Sequence, residues 1–532
     1  MAKSYMRVAI LSVGLACSFA VVFLTSPVRA EADGARDPSV IRITPAAPLI
    51  NEQARLAELA NRRARVAQAI GPKAMLVLFS AEPRLYTNDV YYPYRQESNL
   101  YYLTQLKQAG ATLVLMPGNA RTPELLFLPR RNPAAETWTG HMYSPEEAAH
   151  RSGISEILDE KEFEPFMEAV RKHQPFEAKP SSVMKSAASG QPIGGSEEMF
   201  TAAEKSEAAV YLLNPGGRDR EYAREQRFAT EWAKNASGFA ARDASSIFAA
   251  MRLRKSPMEL LLLQHAIDIS TEAHERAWAV AGSANWEYEV DAEVAYVFKL
   301  RNADSWGYPD IVGAGANATI LHYEESQARV KPDDLILMDC GAEYEHYSAD
   351  VTRTFPANGK FSPAQAELYQ IVYDAQEAAA KAARPGATIS DVNRAGTEVI
   401  KDGLLRLGLI TDRNSMQYGM WFMHGTSHWL GMNVHDVGDY GTKLEPGMVF
   451  TNEPGIYVRA DALDNLPQTT QTEKFKEAIR PAFERYRGLG VRIEDDLVVT
   501  ETGVRWLTEA LPRKMSEVEG FIARVRSQPV AH

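Results

Sequence analysis

The sequence contains two cysteines in 532 residues, Cys17 and Cys340. Cleavage of the N-terminal segment described below would leave one, so no intrachain disulfide framework holds this chain together. Basic residues are not in excess either: 58 Lys+Arg stand against 69 Asp+Glu, a net charge of −11. That balance gives no electrostatic reason to expect a nucleic-acid partner or an anionic membrane surface. Two hydrolase signatures, H-E-x-x-H and G-x-S-x-G, are absent. The loose dinucleotide pattern G-x-G-x-x-A does occur, as "GAGANA" over 313–318. It requires a helix opening after it. Here "TILHY", a β-branched and aromatic run, follows instead, so no nucleotide cofactor is expected there.

Long apolar runs are scarce, with one exception. Residues 8–24 form a 17-residue apolar stretch, preceded by Lys3 and Arg7 and followed by "TSPVRA", which offers Val28 and Ala30 before a cut. A positive start, an apolar middle and a small-residue site are the order of a secretory signal peptide, here cleaved after Ala30. The length also lies near the lower limit for crossing a bilayer, so an uncleaved anchor is the alternative. Gly14 makes a poor start to a lipobox, which argues against lipidation of Cys17. The expectation is a signal over 1–30, an exported, periplasmic protein, and no stable membrane association once the signal is removed.

The remaining chain exceeds one ordinary core, and 45% hydrophobic with 24% charged residues are soluble globular values. Residues 31–50 are mixed and Pro-containing, a flexible leader. "NEQARLAELANRRARVAQAI" has a helical pattern and leads into "KAMLVLFS", a buried-strand run. "ATLVLMP" and "ELLFLPR" continue the strands, with helical stretches near "SPEEAAH" and "EKEFEPFMEAVRKH". This alternation predicts an α/β domain over 51–225. Within it, 179–217 is rich in Gly, Ser and Pro and reads as loop or insertion. A linker is expected over 226–250. A second domain, 251–520, opens on a long helix with a Ser256/Glu259 capping box and Pro257 at its first position. His265 and His274 ride on it as ordinary helix residues. Two more helices follow, one started by Ser362-Pro363 and stopped by Pro385-Gly386, the other in "SDVNRAGTEVIKDGLLRLG". Between helices lie the strand runs "ATILHY", "DLILMDCGAEY", "SADVTRTF", "GMVFTNEPGIYV" and "VRIEDDLVVT". The fold class is therefore α+β, an α/β domain followed by a strand-rich centre with surrounding helices.

"HGTSHWLGMNVHD" packs His424, His428 and His435 into a short stretch. Gly425 and Gly431 argue against a helix, so it reads as a strand bulged at Gly431. The acids inside apolar strands are the stronger signal. Asp339 sits in "LILMDCG", where a carboxylate is costly unless it is paired or binds metal. If "DLILMDCGAEY" and "SADVTRTF" form a hairpin turning about Tyr344-Glu345, Asp350 lies directly opposite Asp339, with Cβ atoms about 5 Å apart. Glu453 in "VFTNEPGIYV" and Glu494 in "VRIEDDLVV" repeat the oddity. At least one of Glu494, Asp495 and Asp496 must point away from the other two. Two Asp, two Glu and a His make an oxygen-rich shell suited to hard divalent ions such as manganese. Two such ions about 3.5–4 Å apart can share a hydroxide for hydrolysis.

"ILHYEE", "MDCGAEYEHYSADVTRTFP", "HGTSHWLGMNVHDVGDYG", "LEPGMVFTNEPGIYV" and "YRGLGVRIEDDLVVTETG" together resemble the bacterial aminopeptidase P proteins of the pita-bread metallopeptidase family. "YPYRQESNLYYLTQL" is similar to that group's N-terminal domain. The likeness spans most of 50–520 and is weakest over 180–250. It implies a pita-bread catalytic domain and a dinuclear centre, commonly of manganese, held by Asp339, Asp350, His428, Glu453 and Glu494. It implies His322, His424 and His435 as pocket residues that touch substrate, Arg492 and Tyr457 as partners of the carboxylates, and Glu453 in proton transfer. The implied reaction releases the N-terminal residue of peptides with proline second, by attack of a hydroxide shared between the metals. A dimer or tetramer is also implied.

Two departures from the resemblance stand out. The stretch 462–485 is longer than the family pattern and reads as an added loop near the site, and the loop after "HDVGDYG" is short. The nearest rival is prolidase, a dipeptidase for Xaa-Pro with the same fold and ligands; "HGTSHWLG" and "PYRQESNLYYLT" resemble aminopeptidase P more closely. From another class, a non-enzymatic pita-bread protein used for peptide binding has no need of a complete ligand set.

Overall fold

The structure, a computed structural model, describes residues 41–179, 182–185, 197–235 and 238–527. The signal expected over 1–30 and the leader as far as residue 40 lie outside the described residues.

The first half is built on a seven-stranded mixed sheet. Its order is Val183–Lys185, Ile157–Asp159, Glu124–Leu128, Thr112–Leu115, Ala74–Phe79, Ala208–Leu212, Phe239–Asp243. The run 74–79 is buried on both faces, which is why it reads as continuously apolar. Its alternate residues divide between two cores. Leu76 and Leu78 join a cluster with Val66 of helix Glu52–Ile70, whereas Met75, Val77 and Phe79 pack with Phe166 and Trp232.

Three expectations for this half are corrected. The stretch 179–217 is not simply a loop: it supplies edge strand 183–185, helix Glu197–Glu204 and the interior strand 208–212. "AAVYL" is short enough to be masked by flanking Gly and Pro, and its pairing partners are remote, parallel neighbours 74–76 and 239–243. The linker expected over 226–250 contains most of helix Ala223–Asn235, the sheet's last strand and most of helix Ser245–Arg252. The end of the leader is not loose either. Thr44 is buried, and its N and Oγ1 both donate to Glu272 Oε2 at 2.8 and 2.7 Å.

In the second half, helix Pro257–Ala281 starts with the expected Ser256/Glu259 capping box, and helix Pro363–Ala382 with Ser362/Gln365. Helix Ile389–Leu407 ends at Gly408, whose φ of 79° suits glycine. These helices surround small antiparallel sheets: Ile311–Ala314 with Leu335–Asp339 and Thr352–Pro356; Val449–Asn452 with Asp495–Val499 and Val504–Trp506; Gly455–Tyr457 with Gly490–Arg492. The α+β expectation holds. "ATILHY", expected as a strand, is instead the end of a short 3₁₀ turn, 315–319, followed by irregular chain. The expected loop 462–485 is largely a helix, Thr470–Tyr486, capped by Thr469 and tolerating Pro481 within it.

The halves share one core, in which Leu262 and Leu263 pack with Leu100 and Tyr101. Arg62 crosses between them. It is 1% exposed, lies over the Tyr102 ring at 4.0 Å, and reaches Glu259 at 3.2 Å. Glu259 also accepts from Tyr347 Oη at 2.9 Å and Ser256 N at 3.0 Å. Removing one member of a buried ion pair leaves the other charge uncompensated, at about 3–5 kcal/mol. Arg62→Ala is therefore expected to lower the unfolding free energy by an amount of that order, read as a fall in the urea midpoint at unchanged m. An unchanged midpoint would show that Tyr347 and Ser256 alone satisfy Glu259.

Candidate metal centre

The four expected carboxylate ligands lie at a strand end or in breaks between strands rather than in strand middles, and His428 lies in irregular chain. Asp339 ends strand 335–339, and Asp350 lies just before strand 352–356. Glu453 falls between strands 449–452 and 455–457, and Glu494 between 490–492 and 495–499. At each break the backbone bonds to another part of the site: Glu453 N donates to Thr426 O at 2.7 Å, and Glu494 N to Thr352 O at 3.0 Å. The expected hairpin forms with its turn one residue later, at Glu345-His346. Both have positive φ, 47° and 67°, as a two-residue type I′ turn requires. Asp339 therefore faces Thr352 rather than Asp350. The shift of two residues in pairing keeps side-chain alternation, so both acids still reach the same centre.

The histidine stretch is not a regular strand. Trp429 makes an isolated bridge to Phe450, Leu430 N donates to Val449 O at 3.1 Å, and Asp436 N turns back to Trp429 O at 2.9 Å. Gly431 is required at that turn, since a Cβ there would stand 2.2 Å from Asp436 Oδ2.

Asp350, His428 and Glu494 each offer a ligand atom within 4.8 Å of the others. His428 Nε2 is 3.2 Å from Asp350 Oδ2 and 3.5 Å from Glu453 Oε1. Arg492 donates from Nη2 to Asp339 Oδ2, from Nε to Thr352 Oγ1 at 3.0 Å, and from Nη1 to Tyr457 Oη at 2.9 Å. His424 Nδ1 lies 2.8 Å from Gly425 O, which can only accept, so the ring hydrogen is on Nδ1. Nε2 then accepts from Tyr457 Oη at 2.8 Å, completing a directed chain from Arg492 to His424. His435 sets its ring perpendicular to that of His428, centroids 4.2 Å apart. His322 is exposed on the irregular segment, near enough to His424 and His435 to depress their basicity.

Sequence reasoning missed Tyr308, Thr352 and Asp496. Tyr308 Oη donates to Asp339 Oδ1 at 2.5 Å, Thr352 Oγ1 to Glu494 Oε2 at 2.6 Å, and Asp496 Oδ2 accepts from Asp350 N at 3.1 Å. Each contact joins residues far apart in sequence, so no local signal marks it. Of the three consecutive acids, Asp495 points away, to Arg353 at 2.6 Å and Thr508 at 2.5 Å.

The electrostatics are those of a cation site. Burial, opposed by Arg492 and reinforced by Asp350, raises Asp339. Burial and the neighbouring carboxylates push Glu494 well above the carboxylate range. Glu453 is lifted to about 7 by burial, with Asp350 adding to it and His428 opposing. Burial disfavours the charge on His428, but Asp350 and Glu453 outweigh it and hold it at about 9. His424 falls to about 3 through burial and the nearby Arg492. A set of mutually repelling buried carboxylates with one imidazole and no thiolate fits hard divalent ions. A second grouping, Asp304, Glu343 and His346, is already closed by cations: Lys107 bonds Asp304 at 3.0 Å and Arg95 bonds Glu343 at 2.8 Å.

Metallopeptidase family M24 matches residues 262–501, and the aminopeptidase P N-terminal domain matches 59–176. The chain is 33% identical to Xaa-Pro aminopeptidase of Haemophilus influenzae over 87% of this chain and 97% of the relative. It is likewise 33% identical to Xaa-Pro aminopeptidase of Escherichia coli, over 88% and 98%. Aminopeptidase P from E. coli with the inhibitor Pro-Leu superposes with a TM-score of 0.73 at 31% identity, covering 90% of this chain and all of that one. The chain is thus a metallopeptidase of family M24 and, within it, belongs to the aminopeptidase P group.

The metal-free site has a definite pH signature. Between 4.5 and about 7 the folded state holds a proton on Glu453 that the unfolded state has released. Between 6.5 and about 9 it holds one on His428. At these two groups the folded state binds more protons, so the stability each contributes is lost as pH rises. His424, held at about 3, works in the opposite sense below 6.5, so the test is a comparison: in chelated protein, Glu453→Gln is expected to make the melting temperature fall less, or rise more, between pH 5 and 7 than it does in the unchanged protein. The same pH dependence in both would contradict the shift on Glu453.

Proposed function

We propose that this chain is a two-metal aminopeptidase that releases the N-terminal residue from peptides with proline in second position. The observation carrying this reading is the cluster of Asp350, His428 and Glu494, joined by Glu453 at His428 and by Asp339 at Arg492, which leads through Tyr457 to His424, in a chain whose relatives are Xaa-Pro aminopeptidases. The five residues would hold two divalent ions, with manganese the metal that their oxygen-rich set favours. Ions so held supply Lewis-acid polarisation of the scissile carbonyl and lower the pKa of water.

The chain's own residues do the rest. Glu453, half-buried with its Oε1 3.5 Å from His428 Nε2, is placed to take a proton from the attacking water and return it to the proline nitrogen. Arg492 and Thr352 hold Asp339 and Glu494 in place. His424, fixed in one neutral tautomer by Tyr457, lines the pocket with His322 and His435. A bond to proline has no N–H and a fixed φ, so its recognition rests on shape and on the carbonyl rather than on an amide donor.

The N-terminal residues support export to the periplasm, since 1–30 have the order of a signal peptide. No helix among the described residues is long and apolar enough to cross a membrane. Association into a dimer or tetramer is supported by hairpin Leu85–Tyr91, where Leu85, Tyr86, Val90 and Tyr91 are each more than half exposed.

The test is hydrolysis of an Xaa-Pro-Xaa tripeptide beside an Xaa-Pro dipeptide by manganese-loaded protein. Release of the first residue from the tripeptide, abolished by chelator and reduced about 10²–10⁴-fold by Glu453→Gln, is expected. Cleavage of the dipeptide alone would make the enzyme a prolidase. Binding of the tripeptide without cleavage, with metal bound, would make it a non-enzymatic peptide binder.

A further inference from the structure

The segment that carries His435 is held by the first domain. Residues 431–436 form a tight irregular turn whose side-chain attachments come from the first domain and from Arg252 and Lys255. Arg95, just before helix Ser98–Thr104, donates from Nη2 to Met432 O at 2.6 Å while its Nε bonds Glu343 at 2.8 Å. Ser98 Oγ lies 3.2 Å from the Asn433 amide. Asn99 Oδ1 accepts from Arg252 Nη1 at 2.9 Å, and Arg252 Nη2 donates to Asp436 Oδ1 at 2.5 Å. Lys255 reaches the other oxygen of Asp436 at 3.3 Å. Asp436 is buried between these cations, which hold it below the carboxylate range despite its burial. His435, between Val434 and this anchor, is itself exposed with its ring against His428.

We propose that Arg95 and Ser98 are positioning residues for the peptidase reaction: the first domain grips the tip of the 431–436 turn and so sets His435 against His428. This rests on the reading of His435 as a pocket residue of that reaction. Arg95 touches neither the ligand carboxylates nor the pocket. It acts on the backbone carbonyl of Met432, three residues before His435, and on Glu343 of the hairpin between Asp339 and Asp350; only the first of these routes passes through His435, which is what the cycle below separates. A misplacement of catalytic groups by a fraction of an ångström is enough to be read in kcat without unfolding anything.

A double-mutant cycle tests this on the full chain loaded with manganese, with kcat and KM measured on an Xaa-Pro-Xaa tripeptide and bound manganese counted by mass spectrometry. Arg95→Ala is expected to lower kcat about tenfold, with KM within about twofold and metal content unchanged, and Arg95→Lys to recover part of the loss. In a His435→Ala background the same Arg95→Ala change is expected to alter kcat by less than about twofold, because the residue it positions is gone. Equal fold-losses in both backgrounds, or loss of manganese in step with kcat, would overturn the proposal. Should Arg95→Ala fail to fold, Ser98→Ala carries the same cycle, with an expected loss of about threefold that vanishes without His435. If the wild-type protein leaves the tripeptide intact, the peptidase reading fails and the proposal with it. A cleaving wild type with an additive cycle defeats the proposal alone.

Discussion

Four carboxylates crowded into a buried space repel one another, and the protein around them is arranged to make that tolerable. Arg492 is one cation that faces the group, and it is shared: its guanidinium serves Asp339, Thr352 and Tyr457 at once. Burial, together with a mutual repulsion that Arg492 and the protonated His428 do not offset, keeps Glu453 and Glu494 above ordinary carboxylates. A fold that keeps such a site has to be held together by other means until a cation arrives. It is held by a second buried charge pair behind the first. Arg353 reaches Asp495 and the Glu494 carbonyl, while Asp495 also takes Thr508 and Gln376. The carboxylate that points away from the centre therefore fixes the backbone of the one that points into it.

The same separation of tasks explains the histidines. His428 sits among carboxylates and gains proton affinity; His424 sits beside Arg492 and loses it. Two residues of the same type, four apart in sequence, end with opposite tendencies because His428 meets Asp350 and Glu453 while His424 is buried beside Arg492 and bonded to Gly425 O and Tyr457. A neutral His424 with its tautomer fixed leaves the proposed proton-transfer role with the Glu453 carboxyl.

Much of this was legible in the chain, for identifiable reasons. An acid inside an apolar strand is visible in sequence because burial makes it expensive, and Asp339, Asp350, Glu453 and Glu494 all meet at the centre. Capping chemistry is local, so Ser256 and Ser362 mark their helices correctly. What failed was whatever depends on remote partners or on a few degrees of backbone. The interior strand 208–212 looked like loop because its stability comes from neighbours more than a hundred residues earlier and some thirty later. The hairpin turn was misplaced by one residue because Glu345 and His346 lack the Asn-Gly pattern that normally marks positive φ. Stacking of His346 on the Tyr101 ring, 3.7 Å apart, and the bond from Tyr101 to Glu345 hold that turn from the other domain. Tyr308 and Thr352 were invisible for the same reason.

The segment after Glu453 shows how packing outside a site can serve it. Helix 470–486 turns Ile479, Phe483 and Tyr486 inward, into the cluster that contains Trp421, Ile456, Val491 and Ile493. Ile456 and Val491 are paired neighbours on the strands that carry Tyr457 and Arg492. The helix therefore presses on the back of the two-stranded ribbon whose front supplies the Arg492–Tyr457–His424 chain. Packing there is close enough that a change in any one side chain is felt by its neighbours, so the position of the Arg492 guanidinium depends on apolar contacts that lie wholly outside the site. This helix is better understood as a brace for the residues that hold the carboxylates than as a lid over the peptide.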